Sequence, residues 1–360
     1  MKVLASFPQL VAKGGSERVL EVMSKNFDLT IITNKYDPEN TFSAFKDVKI
    51  IETKKINKFF YGMKLARTKF KKYDVFHSHG YFINNFLSIK NHPTLFYCIT
   101  PKRDIYKLRQ FYLNKLNNPI SKLLKNAYLN TLKKIDQYLV KNKIDGIVSI
   151  SEEVRKEVNK IYGKDCGVVY PPTMTQNYRY NKTGDYYLCV SRITHVKRID
   201  MIVEAFNKTP DKKLIIAGST PEKEYFERIK NIANKNIEFR TNISDNELVE
   251  LYANCICTIY LPIREDFSLT AVEALSSGKP TILANEGALP EIIENEKQGI
   301  LIEPTIKNII NAVNKLTPEK CKSMKNICMK RSLLFGEKQF TKTLTTTYKN
   351  IIENNIKKRI

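Results

Sequence analysis

An α/β fold with two domains, each built on a doubly wound parallel sheet, is predicted by three observations on this chain. Its 360 residues exceed what one ordinary core supports and suit two domains of about 150 to 180 residues each. Short apolar segments alternate with helical ones through both halves, the pattern of parallel strands joined by helical crossovers. A polar stretch without periodicity, Pro171-Pro172-Thr173 through Asn181-Lys182-Thr183-Gly184-Asp185, interrupts that alternation near the middle. The predicted organisation is therefore a first domain over 1–174, a linker over 175–184 and a second domain over 185–340. Hydrophobic residues make up 42% of the chain, enough for a sizeable core in each.

In chain order, the first strand is predicted at Lys2–Phe7, a segment too short to be a secretory leader. Gly14-Gly15 follows it as a turn, ahead of a helix that opens near Ser16. Further strands are predicted at Leu29–Thr33, Val75–Ser78, Thr94–Cys98, Gly146–Ile150 and Gly167–Tyr170. His79 and Gly80 come directly after the third of these strands. His77, two residues earlier, shares a face with His79 if the strand persists, and reads as packed. The second half repeats the theme at Tyr187–Val190, Lys213–Ala217, Ile237–Arg240, Cys255–Tyr260, Pro280–Ala284 and Gly299–Ile302. Tyr187 to Val190 runs into two cations five residues apart, Arg192 and Lys197, and then into a helix over Ile199 to Asn207 with Ile202, Val203 and Phe206 on one face. Cations in the loop after a parallel strand stand where a doubly wound sheet binds phosphates, beyond the carboxyl ends of its strands.

Glu265-Asp266-Phe267-Ser268-Leu269-Thr270-Ala271-Val272-Glu273 carries the most functional information. A carboxylate in the turn before a helix and another about one and a half turns inside it both reach a ligand resting on that helix's N-terminus. Backbone amides there favour an anion, and carboxylates accept hydrogen bonds from hydroxyls. A nucleotide diphosphate sugar has both. Downstream, Glu286-Gly287-Ala288-Leu289-Pro290-Glu291 supplies a glycine-bearing turn before another short helix.

These segments resemble, in order and spacing, the donor-domain landmarks of the family 4 glycosyltransferases. Glu265 and Glu273 meet the E-x7-E element, Ser191-Arg192-Ile193 with Lys197 the G-R-L-x-x-x-K element, and Glu286 to Glu291 the G-G-x-P-E element. Gly14-Gly15-Ser16-Glu17-Arg18 and Phe76-His77-Ser78-His79-Gly80 match two first-domain landmarks. Asp266 and Ser268 stand where many members carry glycine; the E-D-F variant with Asp266 is found in a subgroup containing mannosyltransferases of surface polysaccharide assembly, and Ser268 is the larger departure, a side chain that would narrow the pocket. The resemblance implies the GT-B fold, two Rossmann-like domains facing each other across a cleft, with a closing helix at Thr341 to Ile360 that packs back on the first domain. It also implies roles. Arg192 and Lys197 would hold the diphosphate, an Arg–phosphate contact being worth roughly 1.5 to 3 kcal/mol. Glu265 would bind the transferred sugar's hydroxyls and Glu273 the ribose. Phe267, Ser268, Leu269, Gly14 and Gly15 would line the donor, and His79 would face the reacting centre. Tyr97-Cys98-Ile99-Thr100-Pro101-Lys102-Arg103 resembles the Y-C-H-T-P-x-R segment of the same subgroup, with Ile99 replacing its histidine. Arg103 is a candidate contact for an acceptor phosphate or simply part of a basic face.

Charge is unevenly placed. Residues 1–180 carry 32 Lys+Arg against 15 Asp+Glu, whereas residues 181–340 carry 23 against 21. The basic excess is densest over Lys54 to Lys72, among Phe59, Phe60, Tyr61, Met63, Leu65 and Phe70, and over Lys102 to Lys143, among Tyr106, Phe111, Tyr112, Leu116, Leu123 and Leu124. Basic amphipathic segments of this kind bind anionic membranes, each cation near the surface contributing roughly 1 kcal/mol. A general bias toward Lys, Asn and Ile is the competing reading, though bias alone would not leave the second domain nearly neutral. Nucleic acid is not an expected partner, because zinc-ligand spacing and RNP-like aromatics are missing from the sequence. No apolar run approaches the roughly 20 residues that span a bilayer. Seven cysteines, at 98, 166, 189, 255, 257, 321 and 328, form no regular framework and read as buried reduced thiols of a cytosolic protein.

The expectation is a retaining glycosyltransferase moving a hexosyl group, mannosyl or glucosyl, from a nucleotide diphosphate sugar to a glycan or lipid-linked saccharide. It would lie in the cytoplasm at the inner face of the cell membrane. No Asp-x-Asp motif is present, and the resemblance implies neither a metal nor another cofactor. GDP-mannose and UDP-hexoses both remain open as donors. The alternatives are another GT-B enzyme, a sugar-nucleotide epimerase or a phosphorylase, and a non-catalytic anionic-surface binder on this scaffold.

Overall fold

Strands buried on both faces need helices on both sides, and this chain meets that need twice. The computed structural model describes residues 1–53, 57–114 and 116–357. It divides into one unit of Met1–Pro172 with Phe340–Ile360 and a second of Thr173–Gln339. The first contains β1 (Lys2–Ser6), β2 (Gln9–Leu10), β3 (Asp28–Thr33), β4 (Lys35–Tyr36), β5 (Lys49–Glu52), β6 (Val75–His79), β7 (Thr94–Cys98), β8 (Gly146–Ser149) and β9 (Gly167–Val168). Seven of them form a parallel sheet in the order β5-β3-β1-β6-β7-β8-β9, while β2 and β4 pair separately. The order reverses between β1 and β6, which pair with Ala5 opposite His77. One face of this sheet packs Leu4, Ile32 and Phe76 against Tyr61, Leu65 and Leu87. Alternation puts His77 and His79 on the other face.

The second unit contains β10 (Tyr186–Val190), β11 (Lys213–Ala217), β12 (Ile237–Arg240), β13 (Thr258–Tyr260), β14 (Thr281–Ala284) and β15 (Gly299–Ile302). They form a parallel sheet in the order β12-β11-β10-β13-β14-β15. This order switches direction between β10 and β13, so the loops leaving those two strands flank the crevice where such sheets bind ligands. Leu188, Ile215 and Ala217 pack with Leu251, Tyr252 and Ala274 on one face. On the other, the helix Ile199–Asn207 lies as predicted, with Ile202, Val203 and Phe206 fully buried.

Differences from the sequence reading are local. The strand predicted from Cys255 begins only at Thr258, and the one predicted over 167–170 stops at Val168. The edge strand β5 was not anticipated, because its side chains are half-buried or exposed and show no continuous apolar run. The stretch 175–184, expected as a linker, packs on the second unit. The Asn181 amide donates to the Ala253 carbonyl, and the ammonium groups of Lys279 and Lys325 lie over the Tyr180 ring at 4.2 and 4.4 Å. Thr173 forms a parallel bridge with Gly336. The closing helix spans Glu337–Lys357. From Phe340 onward it belongs to the first unit, where Phe340 meets Tyr97 edge-on and Asn355 donates to Asp145. All seven cysteines are reduced and buried.

Candidate functional site

The loop leaving β10 is held by backbone bonds to the neighbouring strand end. Ser191 donates to the Ala217 carbonyl and Ile193 to that of Ser219, at 3.0 and 2.8 Å. Gly218 makes this approach possible, since its φ is +153° and a Cβ there would lie 1.8 Å from the Ser191 carbonyl oxygen. The loop exposes Arg192, whose guanidinium makes no hydrogen bond among the described residues, and buries Ile193. A turn of 3-10 helix at His195–Lys197 then brings Lys197 inward, where only 6% of it is exposed. A buried ammonium requires partners, and Lys197 Nζ has two. It donates to Glu265 Oε2 at 2.7 Å and to the Tyr260 hydroxyl at 2.6 Å.

The loop leaving β13 carries Glu265 and is clamped from two sides. Arg198, in a left-handed conformation at φ +51°, donates to the carbonyls of Leu261 and Pro262 at 3.2 and 3.3 Å and forks onto Glu286 at 2.9 and 3.1 Å. Glu286 in turn accepts from the Arg264 amide at 3.3 Å, and the Ala288 amide donates to the Glu265 carbonyl at 2.9 Å. The Glu286–Glu291 segment thus fixes the backbone that presents Glu265. Ser268 caps the helix Leu269–Ser276, its hydroxyl accepting from the Ala271 amide at 3.2 Å. This explains a serine where the resemblance would place glycine, since such a cap stabilises a helix by about 1 kcal/mol. The cap leaves the amides of Leu269 and Thr270 at the helix start for an anion. Buried Phe267 packs on Phe335, with ring centroids 5.7 Å apart. Farther along the helix, Glu273 accepts from the buried Tyr252 hydroxyl at 3.0 Å. One switch point therefore gathers Arg192, Lys197, Glu265, Phe267, Ser268, Leu269 and Glu273 on two adjoining loops and one helix.

The first unit organises its candidates differently. Gly14 is the N-cap of the helix Gly15–Asn26. Glu17 folds its carboxylate back onto the amides of Gly14 and Glu17, and burial pushes its pKa up against those bonds. His79 is fully buried on the carboxyl end of β6, with Nε2 3.1 Å from the Ser16 carbonyl and Nδ1 3.0 Å from His77 Nε2. A carbonyl only accepts, so His79 carries its proton on Nε2 and its Nδ1 accepts from His77. His77 Nδ1 must then accept from the Tyr348 hydroxyl, 2.7 Å away on the closing helix. Burial holds both imidazoles neutral, pushing His79 down to about 3 and His77 well below its ordinary value. His79 thus spends both nitrogens within the protein, holding the turn that starts the Gly15–Asn26 helix. Arg103 lies exposed in the turn after β7.

Of the basic segments, Lys54, Lys55 and Lys115 lie outside the described residues, as do the side chains of Lys58, Phe59 and Phe111 and the last three residues of the chain. Tyr61 and Leu65 are core residues and unavailable to a surface. The helix Pro119–Asn142 instead exposes Ile120, Leu123 and Leu124 at 69%, 69% and 65%. Among the described residues no helix is long and apolar enough to cross a membrane, and no group of three or more His, Cys, Asp or Glu is placed to hold a metal ion.

Comparison with solved structures defines the class. HepE of Anabaena, solved in complex with UDP, superposes with a TM-score of 0.75 over 97% of this chain and 100% of its own, at 14% identity, and the shared architecture is the GT-B glycosyltransferase fold. Residues 172–330 match the family described as "Glycosyl transferases group 1", and this part of the chain is a group 1 glycosyltransferase domain. Similar proteins include alpha-1,3/1,6-mannosyltransferase ALG2 of Dictyostelium discoideum, 29% identical over 46% of each chain. N-acetyl-alpha-D-glucosaminyl L-malate synthase of Bacillus anthracis is 29% identical over 41% of each. The chain spans about half the length of these curated relatives.

Arg198, Tyr260 and Glu286 are the site residues whose roles sequence reasoning missed. Arg198 directly follows Lys197, and Tyr260 is the last residue of the strand feeding the Glu265 loop. Position alone could have flagged both.

Proposed function

We propose that this protein is a retaining, metal-independent hexosyltransferase. It takes a mannosyl or glucosyl group from a nucleotide diphosphate sugar and passes it to a glycan or lipid-linked saccharide. The observation that carries the reading is the pairing of Lys197 with Glu265 beside the exposed Arg192 at the switch point of the second unit. As the bond from the anomeric carbon to the diphosphate breaks, negative charge grows on the leaving group, and fixed cations stabilise it without reorganisation. Arg192 and Lys197 supply that charge, and the Leu269–Ser276 helix start adds its amides and dipole. Glu265 uses Oε2 for Lys197, so Oε1 is the oxygen for a sugar hydroxyl. The acceptor oxygen bonds to the anomeric carbon, and its proton leaves on the departing diphosphate. The mannosyltransferase name of a relative and the UDP held by a structural neighbour support this donor class.

The acceptor side is read as an anionic membrane surface at the cytoplasmic face. Support comes from the helix Pro119–Asn142, whose outward apolar residues stand among Lys122, Lys125, Lys133 and Lys134 while its one acidic residue, Asp136, is buried.

Titration of the purified protein with GDP, UDP and ADP, without added metal, tests the donor site. Binding of one nucleotide that Arg192→Ala and Glu273→Ala each weaken by about tenfold or more, roughly 1.4 kcal/mol, is the expected result. Absence of binding by all three nucleotides would end the transferase reading.

A further inference from the structure

The last residue of β13 is a buried tyrosine, Tyr260, whose hydroxyl accepts from a lysine ammonium. Tyr97 donates to the Val169 carbonyl, Tyr186 to that of Leu251, and Tyr187 lies within reach of the carbonyls of Val313 and Leu316. These three satisfy the hydroxyl with backbone, and buried Tyr252 and Tyr162 satisfy it with a carboxylate. Tyr260 lies instead under an ammonium group, accepting from Lys197 Nζ at 2.6 Å with its ring centroid 5.0 Å away. Burial, and then the carboxylate of Glu265, hold its phenol protonated. The Lys197 ammonium is therefore held by two residues, Tyr260 at the end of β13 and Glu265 in the loop that follows it.

We infer that Tyr260 is a positioning residue of the donor site, whose hydroxyl sets the direction of the Lys197 ammonium so that its remaining N–H meets the donor's diphosphate. The inference rests on the donor-site reading above. The geometry follows from counting donors. An ammonium has three N–H groups; Glu265 Oε2 and the Tyr260 hydroxyl take two, at 2.7 and 2.6 Å. Two fixed acceptors determine where the third hydrogen points. A lysine side chain held only by Glu265 could rotate about that one bond and place its charge elsewhere. Tyr260 is held independently of the lysine, because its ring is buried at the end of the central strand pair. The hydroxyl takes no part in the transfer itself.

Tyr260→Phe keeps the ring and removes only the hydroxyl, so it isolates the effect. Affinity of the full chain is measured for the preferred nucleoside diphosphate and for the matching monophosphate, in the parent, Tyr260→Phe, Lys197→Ala and the double variant. The diphosphate is expected to bind Tyr260→Phe about tenfold more weakly, with the monophosphate within about twofold of the parent. The double variant should be no weaker than Lys197→Ala alone, because the tyrosine acts through the lysine. Unchanged diphosphate affinity in Tyr260→Phe while Lys197→Ala loses it would overturn this inference and leave the donor site standing. So would equal losses for both nucleotides, which would mark a general packing role, or additive losses in the double variant. Lys197→Ala binding the diphosphate like the parent would instead sink the donor-site assignment, and the inference with it.

Discussion

At the scale of single residues, the two predicted diphosphate cations sit in opposite environments. Arg192 is exposed, and its guanidinium makes no hydrogen bond among the described residues, whereas Lys197 is buried and paired with Glu265 and Tyr260. The position of Glu265 depends in turn on Gly287. Its φ is +59°, and a Cβ there would stand 2.4 Å from the Glu265 carbonyl oxygen and 2.9 Å from its amide nitrogen. Gly287→Ala should therefore cost about 1 to 3 kcal/mol from the left-handed backbone and the clash together and should weaken nucleotide binding by moving Glu265. Gly163→Ala is the control, because Gly163 is also left-handed at φ +65° but has nothing within 4 Å. Urea unfolding and nucleotide titration of both variants check this. Equal stability losses with unchanged binding would mean that Gly287 serves only the turn.

At the scale of elements, the helix Pro119–Asn142 is apolar on two sides. Asn118 caps it by accepting from the amides of Ile120 and Ser121, and Pro119 occupies the first turn. Its inward side buries Leu129, Leu132, Leu139 and Val140 in the first unit. Its outward side shows Ile120, Leu123, Leu124 and Tyr128, spaced at three and four residues as one helical face requires. Leu123→Glu with Leu124→Glu should reduce sedimentation with vesicles containing anionic lipid by about tenfold or more, while nucleotide affinity stays as in the parent. Equal sedimentation of variant and parent would remove this helix as the membrane-facing element. The closing helix acts at the same scale, since its Tyr348 donates to His77 and so reaches the start of the Gly15–Asn26 helix through a chain of three hydrogen bonds whose direction the Ser16 carbonyl sets.

For the whole molecule, the buried histidines make stability depend on pH in a direction that can be worked out. Their folded pKa values lie below the ordinary 6.5, with His79 down to about 3. The unfolded chain therefore binds protons that the folded one refuses. Their contribution is complete above about pH 6.5 and is lost as pH falls below it, by about 1.4 kcal/mol per pH unit for each ring. Asp136 opposes this. Burial raises its folded pKa to about 6 against bonds from Tyr106 and Tyr162, so it favours the folded state below about pH 3.8 and loses that advantage as pH rises through 6. Two histidines outweigh one aspartate, and net stability should fall between pH 6.5 and 5, before ordinary carboxylates titrate. Asp136→Asn should fall more steeply over the same range. Denaturant midpoints at pH 7, 6 and 5 check both, and a flat or rising parent profile would contradict the buried neutral pair. What the sequence by itself determined about this protein was its α/β class, most of its strands, the helix Ile199–Asn207 and the loops that carry Arg192, Lys197 and Glu265. These follow from apolar runs, helical periodicity and residue spacing, which are local in the chain. Only the tertiary structure decided that β5 completes a sheet edge, that 175–184 packs rather than links, that His79 turns inward and that Lys197 rests between Glu265 and Tyr260. Each of these depends on which side chains, tens to hundreds of residues apart, are buried together and must find partners there.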